Sequence, residues 1–135
     1  MNGQKFALGT AVGAVTYFVV GFLVYGLALS TFMANNMMSG VMRDPPDWVH
    51  LILGQIASGA LMTVAIGVWA KTGGAAAGLR IGAQLGLLMI LGFDLTMFAT
   101  SHVMNNFTVV AVDVLAGTAM SAIAGAAVGA ALGRR

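Results

Sequence analysis

The chain has 135 residues, of which 59% are hydrophobic and only 7% charged, and its mean hydropathy is +0.94. A water-soluble domain carries about a quarter charged residues, so six basic and four acidic side chains are too few to cover a hydrated surface. The net charge of +2 does not point to nucleic acid, because the basic residues flank apolar stretches, and without cysteine disulfides, thiol redox chemistry and thiolate metal sites are excluded.

The charges gather at Lys5, at Arg43, Asp44 and Asp47, at Lys71 and Arg80, and at Arg134 and Arg135. Between these groups run apolar stretches long enough for the about 20 residues that a helix needs to cross a bilayer core. The pattern predicts an all-α integral membrane bundle of four transmembrane helices, over 6–33, 48–70, 78–100 and 107–132, in one domain spanning 1–135. With the N-terminus inside, Lys5, Lys71, Arg80, Arg134 and Arg135 fall on the inner side and Arg43 alone outside. That bias predicts a single N-in/C-in topology.

Span 1 follows Lys5, and its apolar stretch far exceeds the roughly 7–15 residues of a signal-peptide core, so it reads as a retained helix. The connection after it, 34–43, carries Met37, Met38 and Met42 and is the one place long enough for a short interfacial helix. Span 2 is bracketed by Trp48 and Trp69, a separation of about 31 Å at helical rise, matching two aromatic belts. Its start, Asp44-Pro45-Pro46-Asp47, offers Asp44 as the helix cap with Pro45 in the first helical position, or Asp47 as the cap one turn later. A tight loop at 101–106 folds spans 3 and 4 into an antiparallel hairpin.

Spans 3 and 4 carry small residues every four positions: Gly78, Gly82 and Gly86 in the first, Gly117, Ser121, Gly125, Gly129 and Gly133 in the second. Such rows groove one helix face and let backbones approach closely in lipid. Packing within the chain is expected before packing between subunits, since four helices have many faces to fill.

The same rows lead to two acids. A carboxylate at a membrane-helix centre costs about 2.5–3.5 kcal/mol on the insertion scale and normally faces protein or water. Asp113 precedes Gly117 by four residues and Asp94 follows Gly86 by eight; with a drift of about 40° per four residues, both should point inward. Counted from the outer ends, Asp94, Asp113, Gln55 and Tyr25 all fall roughly 9–12 Å deep, with Thr96 and Ser58 within a turn. The expectation is a polar layer. Two carboxylates in low dielectric resist being ionised together, so the layer is either a shared proton or cation site, or an inter-helix hydrogen-bond network.

His50, His102 and Met104 lie near the outer surface, where imidazole and thioether groups suit copper. Methionine is also an adaptable apolar filler, and no metal or other cofactor is expected. No nucleotide-binding loop, zinc-protease motif or catalytic triad is recognisable, and an enzyme is not expected.

The C-terminal half resembles an uncharacterised family of small four-helix bacterial inner-membrane proteins. The likeness rests on Gly82-x3-Gly86, Phe93-Asp94-Leu95-Thr96, Ala99-Thr100, Val112-Asp113-Val114 and the small-residue-rich helix beginning near Gly117. That family has an aromatic residue before Asp-Leu-Thr in its third helix and an Asp in its fourth. Met97 departs from the family's usual polar residue, and the hairpin lacks its Trp-Pro. The resemblance implies a cytoplasmic (inner) membrane location and the same two acids, and it transfers no activity. Two functional classes remain. The favoured one is a structural or accessory protein that associates through its glycine rows, with itself or within a larger membrane complex. The other is a proton- or cation-coupled transporter or channel built on Asp94 and Asp113.

Overall fold

The computed structural model describes residues 1–133, which leaves Arg134 and Arg135 outside the described residues. Helix α1 (Gly3–Gly21) starts at Asn2, whose side chain accepts the Lys5 N–H at 2.9 Å. It continues through a wider, π-helical segment, Phe22–Ala28. A short α2 (Ser30–Asn36) follows, then α3 (Trp48–Val64) with a second π-helical segment at Ala65–Trp69, then α4 (Ala75–Thr100) and α5 (Phe107–Gly133). Four of these helical stretches are long and apolar enough to cross a membrane. No strand occurs among the described residues.

One expectation at a helix end needs correction, and at another the structure selects between two alternatives. The first span does not run to residue 33: it ends at Ala28, and Leu29 leaves helical geometry at φ −105°, ψ 2°. The Leu29 N–H bonds the Val24 carbonyl at 2.7 Å, an i to i−5 closure that lets the chain turn into α2. The short helix therefore comes earlier than the 34–43 loop. At α3 it is Asp47, not Asp44, that caps, its carboxylate accepting the His50 N–H at 3.2 Å.

In space the long helices follow the order α4, α5, α1, α3, each packed on the next. The α4–α5 contact is made backbone to backbone. A Cβ on Gly78 would run into the Gly125 carbonyl oxygen, one on Gly82 into the Ser121 carbonyl, and one on Gly86 would lie 2.5 Å from the Ser121 Cβ. A second seam joins α1 to α3. There a Cβ on Gly13 would lie 2.7 Å from the Gly59 Cα, and one on Gly9 2.7 Å from the Thr63 hydroxyl.

These seams hold one end of the molecule, where the N-terminus, the 70–74 loop and the end of α5 meet. The Gly74 N–H reaches the Gly129 carbonyl there at 2.6 Å. Tyr17, Met62, Ile66, Ala124, Val128 and Leu132 form the apolar cluster of this terminal end. At the opposite, hairpin end a separate cluster joins Met33, Met104, Val109, Val110 and Val114. Tyr25 packs against the hairpin-end cluster and bonds Asp113 there.

Candidate functional site: a buried carboxyl pair beside a groove

The glycine seam sets which residues meet where it runs out. Gly86 lies on Ser121, Ile90 fills the space over Gly117, and one turn further Asp94 meets Asp113, the two carboxyl groups interacting directly. Asp94 is 1% exposed, and its Oδ2 has no hydrogen-bond partner. Asp113 is half-buried and accepts a hydrogen bond from the Tyr25 hydroxyl at 2.5 Å. Tyr25 comes from the π-helical segment of the first span, a distortion found often at functional sites. Its hydroxyl passes over Gly117, where an added Cβ would lie 3.6 Å away.

An orphaned carboxylate oxygen at this burial is exceptional, because buried polar atoms nearly always have partners. Two adjacent carboxyls resolve the conflict most simply by holding one proton between them, since the protonated member then donates to the other. Tyr25 supports the arrangement by donating to the Asp113 carboxyl. The unit is therefore three side chains from three helical segments.

The pair is covered on its hairpin side. Met33 and Met104 are buried there beside Val110 and Val114. Two hydrogen bonds tie the end of α2 to the hairpin, Asn105 N–H to the Asn36 carbonyl at 3.0 Å and Asn106 Nδ2 to Asn36 Oδ1 at 3.0 Å, and a third ties the segment just after it, Met38 N–H to the Val103 carbonyl at 2.9 Å. Access is lateral. A groove of about 860 Å³ is bounded by α1, α3 and α5, with Tyr17, Phe22, Tyr25, Gln55 and Met120 on its walls and Arg43, Asp47 and His50 at its mouth.

Not every predicted member reaches the layer. Gln55 lines the groove, but the Gly9–Thr63 and Gly13–Gly59 contacts set a register that places it level with Tyr17, about 12 Å from the level of Tyr25. Thr96 is exposed and donates to the Gly92 carbonyl at 2.8 Å. Two residues beyond Asp94 on a helix is about 200° of rotation, which turns it to the opposite face. Ser58 likewise bonds its own helix, at the Gly54 carbonyl, 3.0 Å.

The three residues weighed for copper are placed apart in role. His50 binds Asp47 (Nδ1 to Oδ2, 2.8 Å), His102 is exposed, and Met104 is packed in the hairpin-end cluster. No group of three or more His, Cys, Asp or Glu able to hold a metal occurs among the described residues.

The sequence reading missed the α1–α3 seam of Gly9, Gly13, Gly59 and Thr63, although Gly9-x3-Gly13 is the same spacing that marks spans 3 and 4. It also missed Tyr17, whose hydroxyl lies beside Ser121. Comparison of the chain with protein-family models, with curated proteins and with solved structures finds no match, so the site is interpreted from its own geometry.

Proposed function

We propose that the chain is a multi-pass membrane protein of the bacterial inner membrane, both termini cytoplasmic, in which the Asp94–Asp113 pair takes up and releases a proton through the lateral groove. It is read as a proton-coupled transporter or channel component. The observation that carries this reading is the orphaned Oδ2 of Asp94, 1% exposed and set against a second carboxyl. Intramembrane acids with such neighbours recur in proton relays. The orientation rests on Lys5 and Lys71, which line a cleft at the terminal end, and Arg80 on the second turn of α4, against Arg43 at the mouth of the groove.

A proton is favoured over calcium because Asp94, Asp113 and Tyr25 offer fewer oxygens than the about six to eight that Ca²⁺ takes. The accessory reading draws less support. Its evidence was the glycine rows, and α4 and α5 use those rows on each other.

The test is proton flux into liposomes driven by a pH gradient, for the wild type, Asp94→Asn, Asp113→Asn and the double variant. The expected result is flux that falls at least tenfold in either single variant. Equal, negligible flux from the wild type and the double variant would falsify the proposal.

A further inference from the structure

The groove is larger than a proton path requires. Its volume of about 860 Å³ lies within the range of small-molecule sites. Five aromatic side chains stand on the walls: Tyr17, Phe18, Phe22 and Tyr25 from the first span and Trp48 from α3. Aromatic faces attract organic cations, and more strongly where water is excluded.

The charge distribution has the same sign. Arg43 is the sole lysine or arginine on the groove among the described residues. Its side chain is 80% exposed, at the mouth, and lies 3.9 Å from Asp47. Behind the groove wall at Tyr25 lies Asp113, bonded to the Tyr25 hydroxyl, with Asp94 beyond it. The mouth is thus close to neutral, and the nearest uncompensated negative charge is that of a carboxyl pair that holds one proton.

We infer that the groove binds a lipophilic organic cation, an aromatic or alkyl-substituted ammonium or phosphonium, whose charge settles against Tyr25 and displaces the proton of the Asp113–Asp94 pair. This rests on the proton reading of the same pair. The exchange balances: one cation enters, one proton leaves to water along the groove, and the net charge of the site is unchanged. Ligand and proton then compete for one negative charge, which is the condition for exchanging them across a membrane.

Tetraphenylphosphonium and tetraphenylborate have nearly the same shape and opposite charge, and they separate charge recognition from greasiness. Calorimetry of the detergent-solubilised full-length protein should show saturable binding of tetraphenylphosphonium, at least tenfold tighter than tetraphenylborate. The binding heat should vary with buffer ionisation enthalpy as release of close to one proton requires. Asp113→Asn should weaken binding at least tenfold and abolish the proton release. Gly21 lines the groove, and an added Cβ there would meet only Met120, at 3.6 Å or more. Gly21→Leu should therefore lose binding by filling the groove, and Gly92→Ala, outside the groove and with nothing within 4 Å of the added Cβ, should keep it. Equal binding of the two ions, or binding indifferent to Asp113→Asn, overturns the inference. Absence of tetraphenylphosphonium binding in a protein that still conducts protons overturns it while leaving the proton site standing, and absence of both removes the two together.

Discussion

The two ends of this molecule are built on opposite principles. At the terminal end the helices touch through backbone, with Gly78, Gly82, Gly125 and Gly129 in one seam and Gly9, Gly13 and Gly59 in the other. At the hairpin end the long helices meet through side chains, methionines and valines in the cluster and the Tyr25–Asp113 bond, while backbone bonds and an Asn36–Asn106 bond join α2 and its flank to the loop. Small residues bring axes together and leave nothing for a ligand; large ones hold axes apart and leave room. The groove exists because α3 follows α1 closely at Gly59 and then loses its small contact residues. Close packing at one end makes the register exact enough for Asp94 to meet Asp113 at the other.

The comparison breaks most visibly if the seams tolerate side chains. Gly82→Ala drives a methyl into the Ser121 carbonyl, and Gly59→Ala drives one to 2.5 Å from the Thr10 carbonyl oxygen. The obstacle is main chain in both cases and cannot rotate away. Each substitution should cost roughly 3 kcal/mol, read as a shift in denaturation of the detergent-solubilised protein by sodium dodecyl sulfate. A loss below about 1 kcal/mol at both positions would mean that the seams are looser than described.

A smaller effect is expected at the polar layer. Tyr25→Phe removes the donor to Asp113, and side-chain hydrogen bonds between membrane helices contribute about 0.6 kcal/mol on average and up to about 1.7. With a carboxyl acceptor at 2.5 Å, the upper part of that range is expected. A double-mutant cycle of Tyr25→Phe with Asp113→Ala, which leaves no side-chain acceptor, should return a coupling of about 1.5 kcal/mol. Additive losses would show that the two side chains do not depend on each other in solution.

Much of this was legible in the sequence, for identifiable reasons. Rows of small residues every four positions led from Gly86 to Asp94 and from Gly117 to Asp113, because a helix repeats nearly every four residues whatever surrounds it. The end of the first span was not legible. Leu29 carries no proline, glycine or charge to mark a break, and past Ser30 and Thr31 the chain is apolar again at Phe32 and Met33, so a π-helical segment and a new short helix look like one long span. Gln55 failed for a related reason: depth was counted from helix ends, and one of those ends was misplaced. Thr96 failed because depth was weighed without rotation. A hydroxyl that can bond the carbonyl four residues back needs no layer at all.

The tie between α2 and the hairpin sets a third, local test. Asn106→Ala removes the bond from Asn106 Nδ2 to Asn36 and also the acceptor for the Val109 N–H at 3.2 Å. A loss of about 1 kcal/mol is expected. Hydrogen exchange should accelerate in 30–38 and at the start of α5 while the seam glycines stay protected. Uniform acceleration along the chain would mean that the two ends open as one unit.

The smallest effect, and the sharpest control on the seams, belongs to Gly92. It sits in α4 between Ile90 and Asp94, yet an added Cβ would meet nothing within 4 Å, and the same holds for Gly54 in α3. Glycine in a helix interior is less favourable than alanine by about 0.5–1 kcal/mol through backbone entropy, and neither position has a collision to offset that gain. Gly92→Ala should therefore stabilise the protein slightly, by up to about 1 kcal/mol, in the same assay in which Gly82→Ala is costly. Both glycines lie in one helix, ten residues apart, in one kind of surroundings as far as composition can tell. Opposite signs at these two sites would establish that what matters is the face a glycine presents to the neighbouring backbone, and destabilisation at Gly92 would reveal a contact on that face.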